Sequence, residues 1–130
     1  MINVVLDTNI LVSGLLSSQG NPAKVVNAFR NRQFNLFYND EIMAEYKDVL
    51  FRVRLGLNPD DINDLFSSIS AFGFLLTPQT SKLSMPDEDD RIFYDTALSA
   101  KAYLITGNIR DYPDEPFIVT PAQFVDLALI

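Results

Sequence analysis

The sequence predicts an α/β fold: a three-layer α/β/α sandwich around a central parallel sheet. Three observations carry this. Short apolar runs alternate with longer stretches of helical periodicity, as βα units require. Asparagine followed by proline stands ahead of two of the helical stretches, at Asn21-Pro22 and Asn58-Pro59, marking where helices begin. The chain has 130 residues, 48% hydrophobic and 21% charged, the size and composition of one ordinary globular domain, so residues 1–130 are expected to form a single domain.

Ile2 to Leu6 reads as a buried strand, followed by a short helix from Asn9 to Leu16 that stops near Ser17-Ser18-Gln19-Gly20. The helix from Pro22 to Arg32 turns Val25, Val26 and Phe29 inward. Phe34 to Tyr38 is the second strand. Asn39 caps a helix from Asp40 to Arg52, with Asp40 and Glu41 at its positive end. The helix after Asn58-Pro59 runs to Phe72, with Gly73 as its C-cap, and Phe74 to Thr77 is a third strand. Pro86 precedes an acid-headed helix from Asp87 to Lys101. Tyr103 to Thr106 and Phe117 to Thr120 are the fourth and fifth strands, and a final helix starts at Pro121.

Composition narrows the chemistry. The chain has no cysteine and no histidine, which excludes disulfides, thiolate or imidazole metal sites and the Ser-His-Asp triad. No apolar run spans a bilayer and the N-terminus lacks a basic leader, so a cytoplasmic protein without membrane association is expected. Seventeen acids against ten bases leave a net charge of −7. That balance suits a divalent cation or a basic partner better than avid, unaided phosphate binding.

The acids fall where such folds bind ligands, beyond the carboxyl ends of the strands. Asp7 follows the first strand directly, and a plain N-cap role is its simplest structural reading. On the third helix Ile42, Tyr46, Val49 and Val53 form the apolar stripe, and Glu45 lies about 80° from its centre, at the core border, where Arg52 or Lys47 could pair with it. Glu41 and Asp48 face water. Asp87-Glu88-Asp89-Asp90 place four acids at one helix head, more than the dipole needs. Asp90 points along the core edge, whereas Asp95 lies about 160° from the buried face defined by Ile92, Phe93, Ala97 and Ala100, and is expected to pair outward with Arg91. Gly107-Asn108 reads as turn chemistry. Carboxylates converging from these segments would repel and take up protons, and a hard, oxygen-seeking cation such as Mg²⁺ or Mn²⁺ relieves that.

The ordered set Val5-Leu6-Asp7-Thr8-Asn9, Glu45-Tyr46 with Val49-Leu50 and Arg52, Asp87-Glu88-Asp89-Asp90, Ala97, Leu104-Ile105-Thr106-Gly107-Asn108 and Val119-Thr120-Pro121 with Phe124 resembles the PIN domain family, close to the VapC-like toxins of toxin–antitoxin systems. The resemblance runs over essentially the whole chain. It implies a Mg²⁺- or Mn²⁺-dependent endoribonuclease that hydrolyses phosphodiesters to 5′-phosphate and 3′-hydroxyl ends. Asp7, Glu45 and Asp90 match the acidic metal ligands, and Thr8, Asn9 and Thr106 the supporting polar positions. Asn108 occupies the fourth acidic position of the catalytic set; many relatives carry Asp there. The substitution removes one negative charge and weakens a second metal more than the first, and Asp111, three residues on, is a candidate for compensation. Arg52, Arg54 and Arg110 are the best placed basic residues for RNA, with Arg30 and Arg32 as further candidates. The resemblance also implies a cognate antitoxin protein and a homodimer, for which Leu55, Leu57 and Leu98 are candidate apolar contacts. The competing reading is a weakened PIN module that binds RNA or an antitoxin-like partner without robust cleavage.

Overall fold

The computed structural model describes all 130 residues. Five parallel strands form one sheet in the order β3-β2-β1-β4-β5: β1 (Asn3–Leu6), β2 (Asn35–Tyr38), β3 (Phe74–Leu75), β4 (Tyr103–Ile105) and β5 (Ile118–Val119). Six α-helices connect and cover them: α1 (Thr8–Leu16), α2 (Asn21–Arg30), α3 (Asp40–Leu50), α4 (Pro59–Phe72), α5 (Arg91–Ala100) and α6 (Pro121–Ala128). From β1 the chain moves outward through β2 to β3, then returns across the sheet to β4. Right-handed crossovers in opposite directions put their helices on opposite faces, which makes the three layers. The expected fold class is the one observed.

The core is continuous. Val4, Val5, Leu6, Leu104 and Ile105 are fully buried in the central strands, and Phe29, Tyr46, Phe93 and Phe124 fill the layers above and below. A strand covered on both faces loses the alternation of a half-exposed strand and reads as an unbroken apolar run.

Several boundaries differ from expectation. Asn21 lies inside α2, and Gly20 takes the N-cap position with φ 95°, a conformation glycine accepts readily. Asn39 and Asn58 do cap, accepting from the backbone N–H of Ile42 (3.0 Å) and Asp60 (2.8 Å). Gly73 ends α4 in an extended conformation rather than a left-handed one. Its lack of a side chain is required for another reason: a Cβ there would lie 2.5 Å from the Ile69 carbonyl oxygen and 2.8 Å from the Tyr38 ring. The third strand is two residues long. The third helix stops at Leu50, so Leu50 is buried while Val53, expected on the apolar stripe, is 95% exposed in a short 3₁₀ turn (Val53–Leu55).

The acid-headed helix is two pieces, a 3₁₀ turn (Glu88–Asp90) and then α5. Asp87 caps the turn, accepting from Asp89 N–H at 3.0 Å. Asp95 corrects a second expectation. It is buried, 3% exposed, and accepts from the Ser81 N–H at 3.1 Å instead of pairing with Arg91. Arg91 pairs with Glu88 at 2.7 Å and also donates to the Ser81 carbonyl and hydroxyl and the Leu83 carbonyl. The irregular segment 76–87 therefore lies over the helix face that periodicity assigns to water. A helical wheel registers apolar partners and is blind to a polar loop that binds through its backbone. No helix is long and apolar enough to cross a membrane.

Candidate active site

The site is built at the switch point of the sheet, where β1 sends the chain one way and β4 the other. Leu6 and Ile105 are register partners at the carboxyl ends of these neighbouring parallel strands. The next residues, Asp7 and Thr106, therefore stand side by side. Asp7 N–H still donates to the Ile105 carbonyl at 3.0 Å, so the acid is anchored on rigid sheet backbone.

Asp7 occupies the N-cap position of α1, but its side chain does not cap the helix. It is 7% exposed, and its Oδ2 accepts from Thr106 Oγ1 at 2.8 Å and from the Tyr112 hydroxyl at 2.9 Å. Thr106 is fixed in turn, its Oγ1 accepting from Asn108 N–H at 3.1 Å. Asn9 accepts from Gly107 N–H at 3.1 Å and ties the β1 and β4 loops together.

Helix α3 brings in the second acid. The buried Tyr46 hydroxyl donates to the Leu6 carbonyl at 2.6 Å and docks the helix against the end of β1. Its neighbour Glu45 accepts from the Thr8 hydroxyl. Arg52, one of the two candidate partners of Glu45, pairs with Asp48 instead, at 3.0 Å on the exposed side. The third acid, half-buried Asp90, sits at the junction between the 3₁₀ turn and α5.

All three acids are raised above their ordinary pKa values, each chiefly by burial. Burial pushes Asp7 above the ordinary carboxylate range, the Thr106 and Tyr112 hydroxyls pull it back only partly, and Asp111 adds a further upward push. Glu45 is raised by burial, lowered by Thr8 and raised again by Asp7 and Asp89. Asp90 is pushed up to about 7, first by burial and then by Asp7, Asp87, Asp111 and Glu45. Burial and the Asp7 and Asp90 charges push the Tyr112 phenol upward, so it remains a protonated donor. A set of oxygen donors that repel in this way fits a hard divalent cation. No three of the acids lie close enough to hold one ion jointly. The arrangement suits Mg²⁺ or Mn²⁺ held by one or two carboxylates with the remaining positions filled by water, the usual mode for Mg²⁺.

Of the residues singled out in the sequence, Asp7, Thr8, Asn9, Glu45 and Thr106 are linked to the ends of β1 and β4 by the bonds above, and Asp90 is coupled to them through charge. Asn108 is exposed, and its side chain makes no hydrogen bond; it contributes its backbone N–H to Thr106. Half-buried Asp111 acts on both Asp7 and Asp90. Arg54 and Arg110 are exposed and free of ion pairs. Leu98 is 49% exposed, whereas Leu55 and Leu57 are only partly so. Tyr112 escaped the sequence reading. Its signal is a tyrosine among polar turn residues six positions after Thr106, but only the 3₁₀ turn (Ile109–Asp111) folds its hydroxyl back onto Asp7.

A five-stranded parallel sheet covered by helices on both faces, with Asp7 and Thr106 side by side at its switch point, defines a three-layer α/β sandwich protein. Residues 3–110 match the PIN domain family, and the chain belongs to it. An uncharacterized protein of Methanocaldococcus jannaschii is 29% identical over 110 residues, which is 82% of this chain and 71% of that protein. No solved structure matches the chain. Membership of the family points to nuclease-type function, to RNA as the bound polymer and to divalent metal as the usual cofactor.

Proposed function

We propose that this chain is a Mg²⁺- or Mn²⁺-dependent endoribonuclease and the toxin of a toxin–antitoxin pair. The observation that carries the reading is a set of three acids raised above their ordinary pKa values at the β1/β4 switch point, Asp7 and Glu45 chiefly by burial and Asp90 pushed up to about 7 by burial and then by the charges of Asp7, Asp87, Asp111 and Glu45. Apposed carboxylates cost stability in the absence of a cation, which makes functional use the economical explanation. One or two of the carboxylates of Asp7, Glu45 and Asp90 would hold the ion, with water in its remaining positions. When bound, it lowers the pKa of water and stabilises charge developing on the scissile phosphate.

The chain's own residues set the geometry. Thr106 and Tyr112 orient Asp7, Thr8 orients Glu45, and the Asp87 cap sets the turn that presents Asp90. Asp111 supplies negative charge that Asn108 lacks. Arg54 and Arg110, unpaired and exposed, are the RNA contacts of this reading, and Arg52 is shared with Asp48. An antitoxin segment carrying arginine would complement the acidic cleft, and a homodimer would cover apolar surface that includes Leu98.

Incubating RNA with the purified chain should give Mn²⁺-dependent fragments bearing 5′-phosphates, none in chelator and none with Asp7→Asn. Induction in a bacterial host should arrest growth for the wild type but not for that variant. Cleavage undiminished in Asp7→Asn would overturn the assignment. The exposed, uncharged Asn108 and the net charge of −7 favour one alternative, a PIN module that binds RNA or a basic protein without cutting. RNA binding without cleavage at saturating Mn²⁺ would establish it.

A further inference from the structure

Two hydroxyls converge on one oxygen of one acid. Thr106 Oγ1 and the Tyr112 hydroxyl both donate to Asp7 Oδ2, at 2.8 and 2.9 Å, and no side-chain donor reaches Oδ1. Thr106 and Tyr112 are both buried, so water does not compete effectively for either bond. The Thr106 hydroxyl has its direction set independently, because it accepts from Asn108 N–H. A carboxylate oxygen offers about two lone-pair sites, and here both are taken. Rotation of the carboxylate would break both bonds at once.

We propose that Tyr112 is a positioning residue which, with Thr106, makes Asp7 a one-oxygen ligand through Oδ1 and thereby selects a small octahedral cation against Ca²⁺. The proposal rests on the metal-dependent reading above. Mg²⁺-sized ions take carboxylate oxygens singly in tight octahedral geometry, whereas Ca²⁺ takes six to eight oxygens and readily uses a carboxylate through both. An Asp7 free to rotate could chelate Ca²⁺ with two oxygens; an Asp7 held by two hydroxyls cannot. Partners of this kind typically change metal affinity by about 10- to 100-fold.

The test is isothermal titration of Mn²⁺ and Ca²⁺ into the wild type, Tyr112→Phe, Thr106→Val, Thr106→Ser and Asp7→Asn. Circular dichroism and melting confirm that each variant is folded. The wild type should prefer Mn²⁺. The Ca²⁺/Mn²⁺ ratio of dissociation constants should fall about tenfold in Tyr112→Phe and in Thr106→Val, and stay at the wild-type value in Thr106→Ser, which keeps the hydroxyl. General loosening weakens both ions and leaves the ratio alone, so the ratio separates positioning from packing. An unchanged ratio in folded Tyr112→Phe and Thr106→Val would overturn the proposal while leaving the metal site standing. No divalent binding by the wild type, or unaltered binding by Asp7→Asn, would overturn the metal-dependent reading itself and this proposal with it.

Discussion

Replacing Asp90 by Asn should stabilise the metal-free protein at neutral pH and remove its response to divalent cations. In the folded chain Asp90 titrates at about 7 instead of 3.8, because burial and the charges of Asp7, Asp87, Asp111 and Glu45 oppose its ionisation. Between those two pH values the folded state holds a proton that the unfolded state has released. Stability is therefore greatest below the lower value and falls as pH rises through the upper one. At 1.36 kcal/mol per pH unit the full displacement is worth roughly 4 kcal/mol in a dry site, and solvent screening of a half-exposed carboxylate reduces this to about 1–2 kcal/mol.

Asparagine keeps the shape and carries no charge to repel. In chelator near pH 7.5, Asp90→Asn should melt above the wild type by about 4–7 °C, taking the unfolding entropy expected for a chain of this length. The gap should close as pH falls below 3.8, where the wild-type acid becomes protonated in both states. Added Mn²⁺ should raise the wild-type melting temperature and leave the variant nearly unmoved. Differential scanning calorimetry across pH, with and without Mn²⁺, reads all three effects. An Asp90→Asn protein that melts at or below the wild type in chelator at neutral pH would refute the argument that these acids oppose one another.

Three further predictions concern the scaffold. Gly73→Ala forces a Cβ against the Ile69 carbonyl and the Tyr38 ring, so urea denaturation should show a loss of about 2–3 kcal/mol without loss of metal binding. Tyr46→Phe removes the donor to the Leu6 carbonyl and should cost about 1 kcal/mol in the same assay; an unchanged midpoint would mean that this bond contributes nothing net. Arg91→Met cuts the bonds to Glu88, Ser81 and Leu83 that pin the segment 76–87, and trypsin should then cleave after Lys82 faster than in the wild type. Equal cleavage rates would show that the Asp95 anchor on the Ser81 N–H suffices.

What was legible in the sequence is what local chemistry dictates. Apolar runs marked β1, β2 and β4, Asn39 and Asn58 announced their caps, and the 3.6-residue period placed Glu45 beside the core. The positions of Asp7 and Thr106 at strand ends were equally readable, because a polar residue ending a buried run must lie at the sheet's rim. Only the tertiary structure decided which acids meet and through which oxygens. The Leu6–Ile105 register set Asp7 beside Thr106, and the 3₁₀ turn after Asn108 returned Tyr112 to the same carboxylate from 105 positions away in the chain. Asp95 is buried for the same reason, against the helical period: its partner is a backbone N–H on a loop without periodicity. Periodicity records which side of an element is apolar. Hydrogen bonds between distant segments depend on how the elements are stacked, and no local pattern in the chain encodes that.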